Sequence, residues 1–182
     1  GKLSDLNFQI HFDGWKRSYE QASPHARFCG KMALIQLKAK RHFFREQPEG
    51  THMDVEPPWP EVLAFPGVAR ETVDQCAFGQ MVDGLPAKKP TDCLASHPLL
   101  LKEFRGMRCC GCLMHADLQN GRCSQAKVWP WAFSRALVNG ICALKRHVEQ
   151  GNRNRILRNQ ADPVEVDSMF EYTFPTKTED FM

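Results

Sequence analysis

The 182-residue sequence has no long apolar run, no glycine-x-glycine turn, no internal repeat and little net charge. No stretch approaches the roughly 18 apolar residues that a membrane-spanning helix needs, so no helical span is expected. The opening GKLSDLNFQI lacks the basic and apolar regions of a secretory signal. It also lacks an initiator Met, the start expected of a processed product or a fragment. Without a G-x-G turn the chain carries no mark of a phosphate-cradling nucleotide site. The missing repeat excludes solenoid and propeller arrays. A formal net charge of +3 is too small to require a nucleic-acid partner by itself.

What is present is ordinary globular composition, 42% hydrophobic and 25% charged, in a length that fits one domain with a real core. Lys and Arg cluster at Lys38–Arg41, Lys88–Lys89 and Arg153–Arg158, runs that are solvated surface unless a partner covers them. Eight cysteines raise the question of a disulfide framework. Cys29, Cys76, Cys93 and Cys142 lie singly in apolar stretches, where free Cys packs as a small hydrophobe, so an intracellular, reducing compartment is expected.

Ser23-Pro24 reads as an N-cap and first helical residue, opening a helix to about Lys40 with Phe28, Met32 and Ile35 on one face and Cys29, Ala33 and Leu37 alongside. HFFREQPEG follows as a buried strand. Val55–Pro66, broken by four prolines, is mostly loop with one helical turn near Glu61–Ala64. VARETVDQCAFG and TDCLAS read as further strands, GLPAKKPT as a turn-rich loop and SHPLLLKEF as a short helix. VWPWAFSRALVNGICALKRHVEQG is a proline-led helix with a stripe of Leu137, Ile141, Leu144 and Val148. Trp129 and Trp131 anchor its start and Gly151 caps its end. The fold expected is α/β over 1–151, part of a sheet rather than a complete doubly wound domain, with 152–182 as a C-terminal extension.

Three motifs in order carry a resemblance: FFREQP, then DQCAFG…PAKKPTDCLAS, then CCGCLMH…GRC…VWPWAFSRAL. Together, over roughly Lys31 to Lys145, they resemble the C-terminal half of divergent (phage/algal-type) cytosine-C5 DNA methyltransferase-like domains. The resemblance implies a partial Rossmann-like methyltransferase fold with a Cys/His-rich insertion. It also implies that Glu46 matches the strand-end glutamate that hydrogen-bonds the ring nitrogen of a flipped cytosine. A carboxyl at that edge faces the crevice where α/β folds bind ligands. Lys88-Lys89-Pro90-Thr91 departs from the family's Q-x-R-x-R pattern. The Pro-Cys nucleophile and the glycine-rich turn that holds S-adenosylmethionine are both missing. The chain alone is therefore not expected to methylate DNA, and S-adenosylmethionine is implied only if an N-terminal half exists elsewhere.

RCCGCLMHADLQNGRC holds four cysteines and a histidine. Cys109 or Cys110 with Cys112 and His115 gives C-x-x-C-x-x-H, and Cys123 supplies a fourth ligand. Cys109, Cys112, His115 and Cys123 thus form a conceivable tetrahedral Cys₃His zinc site, which Cys76 or Cys93 can also join from a neighbouring strand. Reduced, partly buried thiols and a disulfide or redox role are the alternatives.

The functional expectation is a catalytically incomplete methyltransferase-like domain binding nucleic acid through a basic face of Arg41, Lys88, Lys89 and Arg122. Its rival is a non-catalytic accessory subunit whose tryptophans, proline-rich loop and tail contact other proteins. A small zinc-binding nucleic-acid module, and a cysteine enzyme pairing Cys76 with His115, are further alternatives.

Overall fold

The computed structural model describes residues 5–118 and 122–161, with side chains over 8–118 and 124–155. The chain divides into two compact units, Gly1–His147 and Val148–Met182. The first holds α1 (Asp5–Ile10), α2 (Phe12–Lys38), β1 (Phe44–Pro48), α3 (Trp59–Leu63), β2 (Ala69–Asp74), β3 (Met81–Val82), β4 (Leu85–Pro86) and β5 (Pro90–Ala95), and α4 runs Trp131–Ala161. This is a mixed α/β structure with small, antiparallel-paired sheets.

The main sheet has the order β1-β5-β2, with β5 antiparallel to both neighbours. β1 and β2 therefore point the same way, with one reversed strand between them, so the sheet is wholly antiparallel and not the parallel sheet of a doubly wound fold. Strand alternation sorts the core into two layers. Cys93 and Ala95 join Val73, Phe104 and Phe133 on one face, while Leu94 joins Leu34, Leu37, Trp59 and Val62 on the other. β5 is the central strand, and all its residues after Pro90 are buried. Proline is tolerated as the first residue of such a strand.

Two helices depart from the sequence expectation. α2 begins at Phe12, not Ser23, and carries Pro24 in its interior. Its buried face is Ala26, Gly30, Ala33, Leu34 and Leu37, while Phe28, Met32 and Ile35 are 59%, 38% and 50% exposed. The cause is Trp59: its indole Nε1 donates to the Ala26 carbonyl at 2.9 Å. A Cβ on Gly30 would lie 2.8 Å from Pro58 Cδ. Small residues admit the Trp59–Pro58 wedge, so the larger ones are turned outward.

α4 continues through Gly151 rather than ending there. Its packed residues are Phe133, Ala136, Gly140 and Leu144, and Ile141 and Val148 stay exposed. Trp129 anchors the helix start, packing against Phe133 with tilted rings 4.9 Å apart between centroids, whereas Trp131 is 77% exposed. The turn-rich GLPAKKPT segment contributes β4, the second strand of the β3–β4 hairpin, whose Asp83-Gly84 turn has positive φ at both residues, the twist a two-residue hairpin favours.

Candidate metal centre and polar cluster

Because β1 and β2 run alike, their C-terminal ends and the start of β5 share one end of the sheet. Three segments meet there. Asp74 closes β2, and its N–H donates to the Met107 carbonyl at 2.9 Å. Its Oδ2 accepts the Cys109 N–H, also at 2.9 Å. Immediately after, a 3₁₀ turn over Gln75–Phe78 carries Cys76, and Gly79 closes the turn at φ 83° by donating to the Cys76 carbonyl. From the third side the Ala116 N–H donates to the Pro86 carbonyl of β4 at 2.8 Å, which fixes His115.

The result is a group able to hold a metal ion: Cys76, Cys109 and His115, with all three ligand atoms within 4.8 Å of one another. Cys109 Sγ and His115 Nε2 are 3.2 Å apart. Cys109 Sγ also accepts the N–H groups of Gly111 and Cys112, and these hold its thiol down to about 6. Gly111 has φ 98°, the left-handed geometry that turns those amides back onto the sulfur. Burial, then the hydrogen bond to Cys109, pushes the Cys76 thiol up to about 12. The Cys112 thiol hydrogen-bonds Cys109 and is raised by that bond first. One thiolate thus sits among neighbours that donate to it.

Of the sequence-expected zinc ligands, Cys109 and His115 come together, and Cys112 lies beside Cys109. Cys110 is exposed. The Cys123 side chain lies outside the described residues. Cys76 joins the group, as the sequence left open. Cys93 does not: it is fully buried opposite Glu46 and Glu71, with burial first and Glu46 second pushing its thiol to about 12. The described cysteines form no disulfide.

Beside the thiols is a polar network. Glu46 Oε1 accepts from Gln75 Nε2 at 3.3 Å and pairs with Lys89 Nζ at 3.6 Å. Gln75, fully buried, also donates to Thr91 Oγ1 at 3.1 Å. Lys89 Nζ reaches the Ala126 carbonyl at 3.2 Å, and Lys88 is exposed. Glu46, Lys88 and Lys89 are therefore neighbours. Arg41 is not one of them: it precedes β1, at the other end of a five-residue strand, about 17 Å away at the usual rise per residue. The single basic face expected from Arg41, Lys88, Lys89 and Arg122 is not assembled by these placements. The Arg122 side chain lies outside the described residues.

Asp74 and Gln75, which tie the two groups together, were not singled out from the sequence. Their roles depend on partners distant in the chain, and only the strand end before F-G marks the place. No helix among the described residues is long and apolar enough to cross a membrane. The chain has no glycine-rich strand-to-helix turn, so its residues do not fit S-adenosylmethionine.

Comparison with known proteins adds nothing to this picture: the chain matches no protein-family model, no curated protein and no solved structure. Fold and site define a class only. It is a mixed α/β domain with a Cys/His group able to hold a metal ion at the end of its sheet.

Proposed function

We propose that the chain is the substrate-side half of a methyltransferase-like, Rossmann-related domain, and that it binds nucleic acid at the sheet end bearing Glu46, Lys88 and Lys89. One observation carries the reading. Glu46 in the middle of β1, Gln75 just past β2, and Lys89 and Thr91 at the start of β5 are hydrogen-bonded or ion-paired into one polar cluster. Lys88 supplies exposed charge for a phosphate, and Lys127 follows the Ala126 carbonyl that Lys89 reaches. Glu46 offers the carboxylate acceptor chemistry that reads the edge of a base, and the buried Gln75 holds it in place. Methyl transfer is not part of the proposal, since this chain supplies neither a Pro-Cys nucleophile nor a cofactor cradle.

The test is titration of labelled single-stranded and duplex DNA and RNA with the full chain across a salt series. Binding should weaken linearly on a log–log plot, and Lys88→Ala should reduce the slope by about 1. No binding at low salt, or binding indifferent to salt, overturns the proposal. It would favour the rival reading as an accessory subunit, which rests on the outward-facing Phe28, Met32 and Ile35 of α2.

A further inference from the structure

We propose that Cys76, Cys109, Cys112 and His115 bind one zinc ion, which clamps the 109–116 loop onto the end of β2. The inference rests on the geometry of the thiol cluster and stands apart from the nucleic-acid reading.

Donor type comes first. Three thiols and an imidazole are soft and borderline ligands, suited to zinc and poorly matched to magnesium or calcium. Spacing agrees. Zn–S of about 2.3 Å and Zn–N of about 2.0 Å in a tetrahedron place neighbouring ligand atoms about 3.5–3.8 Å apart. Cys109 Sγ and His115 Nε2 are 3.2 Å apart, and Cys76 completes a triangle within 4.8 Å. Cys112 is not within that triangle, but its thiol hydrogen-bonds Cys109 and its N–H donates to the same sulfur. It is the fourth ligand within a C-x-x-C turn already wrapped around Cys109.

The surroundings are those of a metal clamp. The turn directs two backbone N–H groups at Cys109 Sγ, which disperses thiolate charge as outer ligands of a metal site do. Asp74 is 2% exposed, and its Oδ1 has no hydrogen-bond partner. The same carboxylate raises the Cys76 thiol. A dication among the sulfurs offsets this buried negative charge. The ligands come from the end of β2 and from a loop without regular secondary structure between Arg108 and Leu118, so binding free energy at the site is folding free energy of the loop.

Metal content of the full chain, prepared with added zinc and then freed of unbound metal, should be one equivalent. Cobalt(II) in its place should give tetrahedral d–d bands and a sulfur-to-cobalt charge-transfer band for three thiolates. Cys76→Ser and Cys112→Ser should each weaken zinc binding on the order of 100-fold and reduce the charge-transfer band by about one third per lost thiolate. Cys110→Ser and Cys123→Ser should leave both unchanged. His115→Cys guards against variants that merely unfold, because it should keep the metal and enlarge the charge-transfer band. Absence of tetrahedral cobalt in the wild-type chain overturns the site. Loss of the band in Cys123→Ser with retention in Cys76→Ser overturns this ligand set, as does a His115→Cys spectrum identical to wild type. None of these readouts depends on nucleic-acid binding.

Discussion

Asp74 and Cys109 are joined by one hydrogen bond, the carboxylate Oδ2 accepting the Cys109 backbone N–H at 2.9 Å, and this bond sets where the cysteine-rich loop leaves the sheet. The same oxygen faces Arg108 Nε at 3.4 Å. Asp74 therefore acts on the site through the loop's backbone rather than as a ligand.

Replacing Asp74 by Ala should destabilise the metal-free chain by about 1–3 kcal/mol, the usual result of stranding a partly buried donor. Asp74→Asn keeps an acceptor for the amide and should stay within about 1 kcal/mol of wild type. Urea denaturation measures both, and amide exchange at Cys109 localises the effect. Unchanged exchange at Cys109 in Asp74→Ala would remove the latch from the account.

The strands at Phe44–Pro48 and Ala69–Asp74 lie inside segments the sequence marks as strands, and Pro90–Ala95 overlaps the third, TDCLAS, starting one residue earlier in the expected loop, because short β-rich runs bounded by Pro and Gly leave few alternatives. The buried face of α2 was not legible in the same way. Periodicity favours Phe28, Met32 and Ile35 as core, yet Trp59 needs a close approach that only Ala26 and Gly30 permit. A tertiary partner decided between two faces of similar apolar content. Cys109 and His115 were recoverable from spacing because they are local. Cys76 was only one of two candidates, and the backbone bonds that choose it over Cys93 come from Met107, Pro86 and Gly79. Contacts of that range leave no local signature.

His97 makes stability depend on pH. Its Nδ1 accepts the Leu99 N–H at 3.2 Å, capping the Pro98–Leu101 turn. Burial first, then His42 and His147, lowers its pKa from the ordinary value. A His with a depressed folded value carries no penalty while neutral. Once pH falls below the unfolded value near 6.5, the unfolded chain takes up the proton and the folded one resists it. Stability should therefore fall as pH drops from about 7 to 5, with a slope from this residue of at most about 1.4 kcal/mol per pH unit. His97→Asn supplies a capping oxygen that does not titrate, so it should keep stability near pH 7 and flatten the acid limb. Parallel melting curves from pH 5 to 8 decide the matter, and an acid limb as steep in the variant as in wild type would assign the loss elsewhere.

Two glycines of α4 separate packing from helix propensity. A Cβ on Gly140 would lie 2.7 Å from the Leu100 carbonyl oxygen and 3.0 Å from Leu100 Cα. These are backbone atoms, so the helix must shift away from the Pro98–Leu101 turn, and Gly140→Ala should cost about 1–3 kcal/mol. Gly151 has nothing within 4 Å of the same point. Gly151→Ala should therefore express only the ordinary preference for alanine inside a helix and stabilise α4 by about 0.5–1 kcal/mol. Far-UV circular dichroism should show helicity retained or raised in Gly151→Ala, and thermal denaturation should separate the pair. A stabilising Gly140→Ala would mean that α4 does not press on Leu100, and a destabilising Gly151→Ala that the helix does not continue through that residue.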